Sequence, residues 1–399
     1  CAPSCSIPPT NSSEPAMTAR RRFLKAGGAA LTLLSFAGWA RAAGEAAPKL
    51  LVLLELRGGN DGLNTVAPVE DGRYFDLRPR LALRGEGVVP LGEGMALHPA
   101  LAPLRTLWDA REMTVIRGVG YPQPNLSHFR SIEIWDTASD SGHYLHEGWL
   151  TRAIATAPAF RAASADGVVI GATDLGPLGG GARAIALADP ARFARQARLA
   201  GKAETEVRGA LAHLLRVERD IARAGAELRP DASFMTEFPR GPFGIAVQRA
   251  AEVAATRRVP IVRVTLAGFD THQNQSNVQA ALLRQVAEGV IALRAALTEV
   301  DLWRDTLVLT YSEFGRRARE NASGGTDHGT ASVMFAFGPR VAGGFVGEAP
   351  SLARLDDDGN LLHTTDFRAV YATVLERWWG LDSVRALGGR FAPLPLLRA

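Results

Sequence analysis

The apolar positions fall into short, dense runs separated by longer stretches of helical spacing. Leu50-Leu51-Val52-Leu53-Leu54-Glu55-Leu56 is nearly continuous and ends at Gly58-Gly59, which predicts a strand buried on both faces. Similar runs predict strands at Met113–Ile116, Val168–Ile170, Ala184–Leu187, Val259–Leu266, Thr306–Thr310 and Ser332–Phe337. Pro260 stands near the start of its run, where a missing backbone donor is tolerated. Apolar residues three and four apart predict helices over His98–Arg111, Glu204–Ala226, Phe243–Thr256 and Val278–Leu297. A helix running from Ser127 to Trp135 and a closing helix over Asp366–Trp379, stopped at Gly380, complete the pattern. Strands alternating with helices predict an α/β fold, a mostly parallel sheet with helices on both faces. In such sheets a site forms where the carboxyl ends of the strands open into loops.

The front of the chain reads differently. Arg20-Arg21-Arg22-Phe23-Leu24-Lys25 precedes an uncharged stretch of 15 residues, Ala26 to Ala40, and then Ala40-Arg41-Ala42. A basic start, a short apolar core and small residues at the end make a cleavable export signal. The paired arginines point to the twin-arginine route, with its translocase as partner. The apolar core is shorter than the span of about 20 residues that a bilayer needs. Residues 1–16, polar and rich in Pro and Ser, are set apart from the fold, which leaves 43–399 as one expected mature domain in the periplasm or outside the cell.

This cut changes the charge balance. The whole chain carries +4, and residues 1–42 hold five basic residues and one acidic, so the mature part is neutral. The basicity therefore gives no case for nucleic acid or an anionic membrane surface as partner. Both cysteines, Cys1 and Cys5, also precede the cut, which excludes a disulfide, a thiolate metal site and a cysteine nucleophile from the mature part.

Three strand ends carry acidic residues at matching positions: Asp61 in Gly58-Gly59-Asn60-Asp61-Gly62, Asp270 in Phe269-Asp270-Thr271-His272, and Glu313 in Ser312-Glu313-Phe314-Gly315-Arg316. Carboxylates brought together repel unless cations sit among them. Asp and His together ligate zinc, manganese or iron, and carboxylates alone suit magnesium or calcium. Asp327-His328-Gly329 follows the third strand closely enough to fold back to the same mouth. Each residue also has a plain structural use: Asp61 as a turn residue, Asp270 as a helix cap, Glu313 in a pair with Arg316 or Arg317, and His328 as an ordinary loop histidine. In Pro124-Asn125-Leu126-Ser127-His128-Phe129-Arg130, Ser127 is either a nucleophile or a helix N-cap, and the two roles are compatible. His98, His128, His143 and His146 are weaker candidates.

The ordered set G-G-N-D-G, P-N-L-S-H-F, F-D-T-H-x-x-Q, S-E-F-G-R and D-H-G, behind an export signal, resembles the bacterial family known as domain of unknown function 1501. That family is similar to the alkaline phosphatase and sulfatase superfamily. The resemblance implies metal ligands at Asp61, Asp270, His272, Glu313 and His328 and a nucleophile at Ser127, and Asp327, beside His328, is a further candidate ligand. Arg130 and Arg316 stand as candidate clamps for the transferring group. Two departures stand out: Glu313 replaces an Asp, and Phe314 stands where a His ligand belongs. The D-x-H spacing is also shorter than the superfamily's, and the C/S-x-P-x-R signature of formylglycine sulfatases is absent around Ser127.

The implied function is an exported, metal-dependent hydrolase of phosphate or sulfate esters, with Zn, Mn, Mg or Ca as the divalent ion. Phe314 favours the alternative, a member without catalysis that binds a partner or glycan at the cell surface.

Overall fold

A computed structural model describes residues 48–85, 87–187 and 232–398. The export segment, both cysteines and the helix expected over Glu204–Ala226 lie outside the described residues. In chain order the strands are β1 (Leu50–Arg57), β2 (Val66–Ala67), β3 (Val89–Gly92), β4 (Met95–Leu97), β5 (Met113–Gly120) and β6 (Gly167–Ile170). They continue with β7 (Ala184–Leu187), β8 (Ile261–Ala267), β9 (Thr306–Tyr311), β10 (Ser332–Phe337), β11 (Gly344–Val346) and β12 (Thr365–Asp366). The main sheet runs β11-β5-β10-β9-β1-β8-β6-β7, with β12 also beside β5. β2, β4 and β3 form a small separate sheet.

β1 lies at the centre because its two faces are both apolar. Leu50, Val52, Leu54 and Leu56 enter one core, and Leu51 and Leu53 enter the other. The first core is covered by α2 (Pro242–Ala255) and α3 (Gln275–Glu299), through Phe243, Val247, Leu283, Val286 and Leu293. The second is covered by α1 (His128–Thr137) and α4 (Phe367–Thr373), through Ile134, Trp135, Val370 and Tyr371. Glu55 is the polar exception on β1. It is buried and pairs with Arg263 of β8 at 2.7 Å, so the charge is answered on the neighbouring strand.

β1 pairs in parallel with β8 and β9, and β8 with β6. β10 is antiparallel to both β9 and β5, and it is the one reversed strand among those described in this sheet. The segment from Ser312 to Ala331 explains the reversal. It carries no helix to cross back over the sheet, so the chain re-enters from the end at which it left. The same return keeps Asp327 and His328 at the carboxyl ends of β1, β8 and β9.

The helix expected over His98–Arg111 is divided into a 3-10 turn, Pro99–Leu104, and a short α-helix, Arg105–Asp109. Pro103 lies inside the first piece and has no N–H to continue the ladder. Asp366 caps the closing helix, which passes into a π-turn at Val374–Trp378 and stops at Gly380 with φ +70°. No helix among the described residues is long and apolar enough to cross a membrane.

Candidate metal and hydrolytic site

The end of β8 delivers Asp270 into a fixed cradle. Gly58, with φ +119°, runs so close that a Cβ there would lie 2.4 Å from the Asp270 amide nitrogen, so only glycine lets the ends of β1 and β8 meet. Arg316 is buried beneath them and donates to Gly59 O at 2.7 Å, Thr326 O at 2.9 Å, Phe269 O at 2.9 Å, Gly58 O and Asp270 Oδ1 at 2.7 Å. Partial burial opposes ionisation of Asp270, but the Arg316 guanidinium, His328 and His272 together bring its pKa down to about 2.

Three imidazoles surround this carboxylate. Each turns Nδ1 outward to an oxygen that only accepts. His128 Nδ1 lies 2.9 Å from Glu313 Oε1, His272 Nδ1 lies 3.3 Å from Asp327 Oδ1, and His328 Nδ1 lies 2.8 Å from Leu126 O. In neutral rings Nδ1 then carries the proton, and each Nε2 is left with a lone pair. Those Nε2 atoms turn inward. They lie 3.5 Å, 2.9 Å and 3.1 Å from the Asp270 carboxylate for His128, His272 and His328. His272 Nε2 and His328 Nε2 are 3.0 Å apart. Facing lone pairs at this range require a proton or a cation between them.

Ligand atoms of His128, Asp270 and His328 all lie within 4.8 Å of one another. Zinc bonds of about 2.0–2.1 Å place tetrahedral ligand atoms about 3.3 Å apart, close to the 3.5 Å, 2.9 Å and 3.1 Å between the three Nε2 atoms and the Asp270 carboxylate. The outward Nδ1 partners are the kind of contact that orients metal-ligating histidines. Glu313 raises the pKa of His128 through its hydrogen bond, which outweighs partial burial. Glu313 and Asp327 thus stand behind the ligand atoms, Glu313 also receiving Gly58 N at 2.8 Å and Asp327 receiving Asn321 Nδ2 at 3.1 Å.

The structure leaves several expected residues out of this group. Asp61 is buried, caps the turn at Leu63 N and faces Arg78 Nη1 at 2.5 Å and Gln275 Nε2, so its carboxylate is answered by protein donors rather than by the imidazoles. Gln275 is the glutamine of F-D-T-H-x-x-Q, and this contact accounts for its place in the motif. Arg316 has its donors taken by carbonyls and Asp270; it positions Asp270 rather than clamping a substrate. Arg130 is likewise buried, donating to Asp140 O at 2.8 Å and His143 O at 2.6 Å. Nor does Glu313 pair with Arg316 or Arg317, since His128 and Gly58 hold it. His98 is a buried cap whose Nδ1 accepts from Ala100 N at 3.0 Å, and desolvation lowers its pKa to about 4. His143 pairs with Asp140 on the exposed loop, and His146 lies on that same loop.

Ser127 occupies the N-cap position of α1, but its side chain makes no capping bond and is exposed. The loop before it is well anchored. Tyr121 Oη receives Asn125 N at 3.1 Å, and Asn125 Oδ1 receives Ser127 N at 2.9 Å. Ser131, one turn on, donates to Glu313 O. Phe314 is buried and packs on His128 and His328, with ring centroids 4.9 Å and 4.5 Å away.

The sequence profile of the family described as protein of unknown function (DUF1501) matches residues 91–388, about three quarters of the chain. The chain belongs to this family. The DUF1501 match spans the segments bearing Ser127, Asp270, Glu313 and His328, while Asp61 precedes it. No curated protein matches the sequence. Among solved structures, phosphonate monoester hydrolase SpPMH from Silicibacter pomeroyi is similar with TM-score 0.42 and 12% identity, over 87% of this chain and 76% of that one. Phosphonate monoester hydrolase of Agrobacterium radiobacter gives TM-score 0.42 and 10% identity, over 86% and 78%. A protein in the alkaline phosphatase superfamily from Vibrio parahaemolyticus gives TM-score 0.40 and 10% identity, over 87% and 70%. At these identities and scores, nothing about the reaction passes from those proteins to this DUF1501 member. Its chemistry rests on its own residues.

Proposed function

We propose that this protein is a metal-dependent hydrolase of phosphate or sulfate esters that works outside the cytoplasm. One observation carries the reading: three histidines from separate segments turn Nε2 toward one ionised carboxylate, with each Nδ1 held by an oxygen. His128, His272, His328 and Asp270 would hold the ion. Three nitrogens and one carboxylate favour zinc or manganese over magnesium or calcium, which prefer oxygen ligands. Such an ion, when bound, supplies Lewis acidity and neutralises charge on a phosphoryl or sulfuryl group.

The chain's own groups supply the rest. The N-terminus of α1 lacks a side-chain cap, so its first N–H groups and its dipole favour an anion beside Ser127. In the proposed reaction Ser127 Oγ bonds to phosphorus or sulfur, the ester oxygen leaves, and the serine proton goes to it as the alcohol forms. Water then cleaves the serine ester, releasing the inorganic anion and restoring the hydroxyl. We assign the residues from 43 onward to one mature domain and Arg20–Ala42 to recognition by the twin-arginine translocase.

Elemental analysis of the purified wild type and of Asp270→Asn tests the site. The wild type holds zinc or manganese and the variant loses it; negligible metal in both overturns the reading. A panel of phosphomonoesters, phosphodiesters and sulfate esters then tests the reaction. Ser127→Ala abolishes turnover but leaves metal content and unfolding midpoint unchanged, because its hydroxyl caps nothing.

The alternative, a binding protein without catalysis, is favoured by Phe314 and Asp61. Phe314 fills the place of a ligand with a ring, and Arg78 takes the carboxylate of Asp61. Metal-loaded protein that binds phosphate or a glycan but turns over no ester would establish it.

A further inference from the structure

Phe129 and Tyr144 are the two exposed phenyl rings among the described residues, 90% and 69% accessible. Phe129 is the chain neighbour of Arg130, on which Tyr144 stacks. Phe129 follows His128 in the first turn of α1. Successive helical residues are about 100° apart, so Phe129 leaves α1 about a quarter-turn from His128, whose ring meets Glu313 and Asp270. Tyr144 lies over the Arg130 guanidinium, 3.9 Å from the ring centroid. Arg130 is buried and fastened to the carbonyls of the loop that bears Tyr144. Ser141 Oγ donates to Gln123 O at 2.5 Å and ties that loop to the segment leading into Ser127. Leu145, 37% accessible, extends the patch. Large apolar rings left in water next to a candidate reactive group mark a surface that is covered when a ligand binds.

We propose that Phe129 and Tyr144 form the shelf on which the organic group of the ester rests, and that the substrate carries an apolar ring on the oxygen that leaves. The proposal takes the hydrolase reading as given and assigns its specificity to these two side chains. The reacting group sits at the helix N-terminus and the imidazoles, and the rings contact only the part that departs.

Benzylphosphonate and methylphosphonate, which have no ester bond to cleave, report this directly by calorimetric titration of the metal-loaded full chain. Benzylphosphonate is expected to bind at least about tenfold more tightly, the effect of one good aromatic contact. Phe129→Ala and Tyr144→Ala should each remove most of that preference without changing methylphosphonate affinity or metal content. Phe129→Tyr should retain it. Equal affinity of the two phosphonates in the wild type, no binding of benzylphosphonate, or an unchanged preference in both alanine variants overturns the shelf. Phe129-dependent self-association would also overturn it, by showing that a second copy covers the rings. The two readings are told apart by their failures. Metal and turnover without ring preference sink the shelf alone, whereas ring preference without turnover sinks the hydrolase and leaves the rings as a binding surface with no leaving group to hold.

Discussion

His128 shows how a residue's role is set by what stands behind it. In the proposed site its ring would serve as a ligand, because Glu313 Oε1 lies 2.9 Å from Nδ1 and leaves Nε2 toward Asp270. Glu313→Gln keeps the shape but removes the charge that fixes the tautomer. Metal affinity, measured by chelator competition, should fall about 10–100-fold with the far-ultraviolet spectrum unchanged. An unaltered affinity would show that His128 is not a ligand. Asp136 makes a different residue-scale case. It is buried beneath the sheet with Oδ1 lacking a partner, and burial raises its pKa to about 8, with Arg263 opposing. A carboxyl whose folded pKa lies above its unfolded value is neutral in the fold while the unfolded chain ionises. Stability from this group is therefore present below about pH 4 and declines as pH rises toward about 8. Asp136→Asn should abolish that decline, so its gain in Tm over the wild type grows between pH 5 and 8. Parallel Tm–pH curves would refute this.

At the scale of elements, the hydrophobic pattern located most strands and helices within a few residues. β1, β9 and β10 differ from their expected bounds by a residue at most, and the helix expected at Val278–Leu297 is the middle of α3. β11, β12 and the small sheet of β2, β3 and β4 were not legible, being two to four residues long and held by neighbours rather than by pattern. The direction of β10 was also invisible, since period and composition are the same either way. That direction depends on a tight return in which Gly315 N donates to Thr330 O at 3.0 Å. A Cβ on Gly315 would lie 2.2 Å from Ala331 O, so Gly315→Ala must push the two segments apart. It should cost about 1–3 kcal/mol in urea unfolding and weaken metal binding by displacing His328. Unchanged stability and metal content would mean that the return adapts freely.

For the whole molecule, the excess basic charge and both cysteines lie within residues 1–42. If the first segment directs export, secreted protein begins Ala43-Gly44-Glu45, and replacing Arg20 and Arg21 by Lys keeps it inside the cell. N-terminal sequencing of the secreted form and cell fractionation of the variant check this; periplasmic protein retaining Arg20–Lys25 would refute it.

The sequence alone determined the α/β class and the mostly parallel sheet, and it placed Asp270, His272 and His328 among the candidates at the strand ends. These follow from local information: period, punctuation by glycine, and polar residues at the ends of apolar runs. Only the tertiary structure decided which candidates meet. Asp61 and Asp270 end equivalent strands, yet Arg78, 17 residues from Asp61, neutralises the first, while three imidazoles gather on the second. Arg130 and Arg316 offered the same charge as any substrate clamp until the fold buried both and turned Arg130 Nη2 and most Arg316 donors onto carbonyls. A side chain's type sets what it can bind, but its partner is whichever group the folded backbone brings within about 3 Å.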